Sequence, residues 1–181
     1  ECGIGMSVSR PVLSGTPTMI STTNFRVHYT TSGVDASAQQ WADSVAVYVE
    51  EVRTKLAQLG WALPPHDDGL GGVRDPDSTY DIFIKNIKTP DTLLYGYPIP
   101  EAPYNDPNQP PNYPDGYTSW IAIENDTINY TPSIPIYKRL KAFVAHELHH
   151  ASQFRYSSYT VDPVWFEENT SVYFEDIMYD D

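Results

Sequence analysis

Cysteine is almost missing from this 181-residue chain. Cys2 is a leftover thiol, so no disulfide framework staples the fold; it can pair with another chain, ligate a metal in a latent form, or stay idle. Basic residues are also few: 11 Lys and Arg against 24 Asp and Glu give a net charge of −13 and a pI of 4.5. That balance excludes the basic footprint of a nucleic-acid or anionic-lipid binder. No apolar run approaches the ~18 residues of a membrane-spanning helix. Internal repeats are absent, and low complexity is confined to one proline-rich stretch.

What the chain has is 40% hydrophobic residues, enough for a packed core in one domain, with 16 prolines and 14 tyrosines. An acidic, loop-rich, aromatic composition of this kind suits a secreted, extracellular protein. The opening Glu1-Cys2-Gly3-Ile4 has neither an initiator Met nor a basic-then-apolar signal, and reads as the start of a mature, processed chain.

Residues 1–22, polar and rich in Ser, Thr, Gly and Pro, read as an extended N-terminal arm, with one domain over 23–181. From Asn24 to Thr30, Phe25, Val27 and Tyr29 alternate with Arg26 and His28, the pattern of a half-buried strand. Ala38, Trp41, Val45, Tyr48, Val49, Val52, Leu56 and Leu59 recur at helical spacing, Gly60 stops the run, and Asp35 or Ser37 is the expected N-cap. Strands are expected at Thr79–Lys85 and Trp120–Glu124, and helices from Tyr137 to about Tyr156 and from Asp162-Pro163 to about Met178. The proline-rich segment Tyr95–Tyr117 is expected to be ordered by contacts rather than by regular structure, because its prolines cannot donate to a ladder. This order of elements predicts an α+β fold with a small mixed sheet packed on a long helix.

Chemistry concentrates in His146-Glu147-Leu148-His149-His150. On a helix, His146 and His150 share a face one turn apart, so both imidazoles reach one metal ion, while Glu147 is placed to take a proton from water as a catalytic base. Zinc needs a third protein ligand and an open position. Glu167 and Glu168, 17 and 18 residues after His150, are the candidates. Glu168 shares a helical face with Trp165, Val172 and Glu175, which reads as the inward face, whereas Glu167 points about 100° away, so Glu168 is preferred. Glu175, two turns on, is a candidate acceptor for a ligand His N–H. His149 lies off the ligand face and reads as a packing or hydrogen-bonding residue.

These two segments resemble the gluzincin metallopeptidases of the thermolysin-like clan. Together with Asn24-Phe25-Arg26-Val27-His28-Tyr29-Thr30-Thr31-Ser32-Gly33, Leu59-Gly60-Trp61, Tyr80-Asp81-Ile82-Phe83, Ala151-Ser152-Gln153-Phe154 and Trp165-Phe166-Glu167-Glu168-Asn169-Thr170-Ser171, they are most similar to a group of little-characterised secreted bacterial metallopeptidases. The resemblance runs over roughly residues 24–181. It implies a zinc-dependent endopeptidase acting on a peptide or protein substrate, with His146, His150 and Glu168 as ligands and Glu147 as base. It also implies that Ser119–Asn125, with Trp120, Ile121 and Ala122, is the sheet edge along which an extended peptide adds. Where the clan carries an Asp four residues after the ligand Glu, this chain has Val172.

Tyr156 and Tyr159 are candidates for a phenol that stabilises the oxyanion. Asp67-Asp68-Gly69, Asp75-Pro76-Asp77 and Asn105-Asp106 are conceivable Ca2+ ligands, but none has EF-hand spacing, which favours solvated turns. Asn125-Asp126-Thr127 and Asn129-Tyr130-Thr131 have the form of glycosylation acceptors. A second function class is an extracellular structural or assembly protein on the same fold, in which zinc is a staple and the proline-rich segment serves self-assembly. A purely structural zinc has no need of Glu147 as a base.

Overall fold

Alternation in Phe25–Thr30 and a nearly continuous apolar run in Tyr80–Lys85 make strands β2 and β3. The computed structural model describes residues 9–66, 79–88, 94–104, 116–126, 135–156 and 164–180. Five strands form one mixed sheet. β1 is Pro17–Ser21, β4 is Gly96–Tyr104 and β5 is Gly116–Glu124, and the spatial order is β1-β2-β3-β5-β4. β2, β3 and β5 are parallel, while β1 and β4 flank them antiparallel. Among the described residues three helices complete the fold: α1, Gln39–Gln58; α2, Ile136–Gln153; and α3, Val164–Asp180. The fold is α+β, as expected, and no helix among the described residues is long and apolar enough to cross a membrane.

The main core lies between one sheet face and the helices. β2 supplies Phe25, Val27 and Tyr29, and β3 supplies Tyr80, Ile82 and Ile84. Val45, Val49, Val52 and Leu56 of α1 and Leu140, Val144 and Leu148 of α2 meet them at spacings of three and four. Gly60, at φ +82°, closes α1: its N–H donates to Ala57 O and the Trp61 N–H to Leu56 O, 3.1 and 3.0 Å. This turn carries Trp61 onto α2, where its ring meets His149 edge-on at 4.4 Å between centroids.

Four expectations need correction. Residues 9–22 are no loose arm: Pro17–Ser21 is an edge strand, Leu13 is buried, and Arg10 donates to Glu101 at 2.7 Å and also bonds Asp81. β1 shows no alternation because most of its side chains are exposed. Asp35 and Ser37 do not cap α1. Ala38 holds that position, and Asp35 instead accepts the Ser14 and Asn86 N–H groups at 2.7 and 3.0 Å, tying the N-terminal segment to the end of β3.

The proline-rich segment contains a regular strand, β4, which forms the sheet edge, and β5 is therefore interior. Trp120, Ile121 and Ala122 accordingly border no edge. Ile121 lies in the helix-covered core, while Trp120 and Ala122 cluster with Phe83 on the opposite face. Prolines are tolerated in β4 because an edge strand needs only half of its N–H groups for the ladder.

Candidate metal centre

α2 presents its apolar stripe to the sheet, which leaves His146 and His150 one turn apart beside α3. Their Nε2 atoms lie 2.9 Å from each other. Each Nδ1 is engaged elsewhere: His146 with Glu175 Oε1 at 2.5 Å, and His150 with Gln153 Oε1 at 2.7 Å. The amide oxygen of Gln153 can only accept, so His150 Nδ1 carries the proton and its Nε2 offers a lone pair. Glu168 brings its carboxylate to the same point, 3.4 Å from His146 Nε2 and 3.6 Å from His150 Nε2. The three residues form a group whose ligand atoms all lie within 4.8 Å of one another.

The donor set fits zinc. Two imidazole nitrogens and a carboxylate oxygen are the ligands of an open catalytic site, and tetrahedral ligands at ~2.0–2.1 Å from the ion stand about 3.3 Å apart. The distances from Glu168 match that separation.

Glu168 reaches this point from a different face than the sequence suggests. Among the described side chains of α3, Glu167, Ser171, Phe174 and Met178 are buried, whereas Trp165 and Val172 are 65% and 54% exposed. The Glu168 face borders the ligand group and is open to solvent. The large apolar residues Trp165 and Val172 mark it falsely as a core face.

Glu147 is buried against β4. A Cβ on Gly96 would stand 2.5 Å from Glu147 Cγ, so only glycine lets the strand approach so closely. Tyr95 stacks on Phe143 at 4.2 Å between centroids, one helical turn before Glu147, and fixes the start of β4 on the same side of α2. Burial pushes the Glu147 carboxyl up to about 8; the charges of Glu168 and Glu175 act in the same direction, against His146. Burial alone would lower His146, but its bond to Glu175 and the nearby carboxylates outweigh that and raise it. For His150 burial prevails over the Gln153 bond, and its pKa is lowered.

His149 has the structural role expected of it. It is buried, its Nδ1 pairs with Ser171 Oγ at 2.9 Å, and its ring stacks on Phe174. Burial, with help from His150 and His146, takes its pKa down to about 3. Glu175 occupies the expected acceptor position. It supplies the carboxylate to His146 although the position four residues after Glu168 is Val172.

Tyr156 does not join the group: its hydroxyl accepts the Ala62 N–H at 2.8 Å, beside Trp61. Tyr159, the three acidic turn clusters, Cys2 and the Asp162-Pro163 cap lie outside the described residues. Gln153 was not singled out by the sequence, though its position three residues after His150 on one helix was the available signal. Its amide also donates to Glu167 O at 3.0 Å and Thr170 Oγ1 at 2.8 Å, clamping α3 to α2. No family model, curated protein or solved structure matches the chain.

Proposed function

We propose that the chain is a secreted zinc-dependent endopeptidase of gluzincin type. The observation that carries this reading is the convergence of His146 Nε2, His150 Nε2 and the Glu168 carboxylate beside a buried Glu147. Zinc bound there would supply Lewis acidity and ease the deprotonation of water. Glu147 is the base: its carboxylate accepts the proton from the attacking water and then delivers it to the leaving amine nitrogen. Glu175 and Gln153 hold the two imidazoles by Nδ1, so that both Nε2 lone pairs stay directed at one point. The substrate peptide lies extended beside β4, the strand that flanks Glu147. The acidic composition supports placement outside the cell.

Elemental analysis of protein purified without chelator is expected to give about one zinc per chain, with casein digestion that stops on chelation and returns with zinc. Near-zero metal in such protein overturns the reading.

Glu175→Ala and Gln153→Ala are each expected to weaken zinc binding by about 10–100-fold in a chelator competition titration. Unchanged affinity in both variants would show that the Nδ1 partners do not orient the ligands.

The assembly reading draws support from a separate feature: Trp165, Phe166, Val172 and Tyr173 form an exposed apolar surface on α3. Zinc retained without any peptide cleavage would favour it.

A further inference from the structure

β4 offers a bound peptide almost nothing but acceptors. Gly96 pairs with Ile123, Tyr97 with Ala122, Pro98 with Ile121, Ile99 with Trp120 and Pro100 with Ser119. In this register Tyr95 opposes Glu124, and the Glu124 N–H donates to Tyr95 O at 3.0 Å, which makes that pair a hydrogen-bonded one. Antiparallel ladders alternate. Tyr97 and Ile99 therefore turn their N–H and C=O groups toward β5, whereas Gly96, Pro98 and Pro100 turn theirs away from the sheet. Among the described residues no strand pairs with that outer side.

Proline has no N–H. The outer edge from 96 to 100 thus carries three carbonyl acceptors and one donor, the Gly96 N–H. The donor lies where β4 abuts Glu147. Beyond the β-bulge between Pro100 and Pro103 the register shifts, so the count stops there.

We propose that Pro98 and Pro100 are specificity-determining residues, and that this edge selects extended peptides through their own N–H groups at alternate residues. The inference rests on the peptidase reading and adds a rule about the substrate. Whichever direction the peptide runs, it can donate to the carbonyls of Gly96, Pro98 and Pro100 and can accept only from Gly96. A substrate residue without an N–H, such as proline or an N-methylated residue, forfeits a bond at every second position along β4. The carbonyls of residues opposite Pro98 and Pro100 find no donor on the strand and stay with water. Pairing with both donation and acceptance is confined to the residue beside Glu147, which fixes the register of the peptide next to the base.

The test uses the full chain loaded with zinc and a dansylated alanine–leucine octapeptide ending in a hydroxamate, whose chelating end sets the register. Single N-methyl groups are placed at successive residues, and binding is followed by fluorescence anisotropy. Affinity is expected to fall by about three- to tenfold or more at alternate residues and to hold at those between, the worth of one hydrogen bond. Pro98→Ala installs an outward N–H without touching the ladder to β5, and is expected to tighten the unmethylated peptide by about threefold.

N-methylation that costs nothing or costs equally at every residue overturns the proposal, and so does a Pro98→Ala chain that binds as the parent does. Those results leave the peptidase reading standing if zinc content and casein digestion are intact. A chain that takes up no zinc and binds no peptide removes both. Peptide binding with the alternating pattern but without zinc retains the edge and removes the peptidase.

Discussion

Replacing Glu147 by Gln is expected to leave the zinc content unchanged and to lower casein hydrolysis by about 10²–10⁴-fold, the usual contribution of a general base. The amide has nearly the same size as the carboxyl, so its packing on Gly96 is kept, but it cannot accept the water proton. The same substitution is expected to make the zinc-free protein more stable at pH 7. Burial raises the Glu147 pKa to about 8 in the folded chain. An acid with a raised folded pKa contributes stability at low pH and loses it as pH rises from its ordinary value near 4.5 toward 8. At pH 7 the unfolded chain ionises this group freely and the zinc-free folded chain does not, whereas a zinc cation bound beside it would favour the carboxylate that acts as base. Removing that penalty stabilises by about 1–3 kcal/mol, less whatever the buried amide loses in hydrogen bonds. Urea denaturation with chelator present measures the gain. A variant with undiminished hydrolysis removes Glu147 from the role of base.

The contribution of His149 to the stability of the zinc-free protein is expected to be lost on acidification well above the pH at which carboxylates titrate. His149, buried between Trp61, Ser171 and Phe174, has a folded pKa of about 3 against an ordinary 6.5. A base with a lowered folded pKa contributes stability above its unfolded pKa. That stability is lost as pH falls, because the unfolded chain then binds the extra proton. The loss amounts to about 2 kcal/mol by pH 5. His150, also lowered, adds to it, whereas the raised pKa values of Glu147 and His146 act in the opposite sense. Comparing wild type with His149→Asn isolates the contribution of this residue: the difference in stability between them should narrow steadily from pH 7 to pH 5. Parallel pH profiles would show that His149 does not titrate on unfolding.

Helices α1 and α2 were legible because each buries one stripe in the main core, so that helical periodicity survives in the letters. β2 and β3 were legible for the corresponding reason. β1 and β4 were not, because both are edge strands. The side chains of β1 are mostly outside, and β4 is written in prolines that usually signal a loop. β5 reads as an edge in the sequence because β4, its neighbour, carries no strand signal of its own. Within the site, the one-turn spacing of His146 and His150 was plain. The sequence marks the Glu168 face as buried through Trp165 and Val172, yet that face is open to solvent and the burial belongs to Glu167 and Ser171. Gly96 left no trace in the sequence, because the close approach it permits is to Glu147, on a helix distant along the chain.

The alternating prolines of β4 also bear on the crowding of copies in solution. An unprotected sheet edge invites the same edge of another molecule, and stacking of this kind seeds aggregates. Two β4 edges brought side by side would set carbonyl against carbonyl at Pro98 and Pro100, with no hydrogen between them to share. Like dipoles facing one another repel. The strand that flanks Glu147 therefore stays available to a flexible peptide, which can present hydrogens, while refusing its own duplicate.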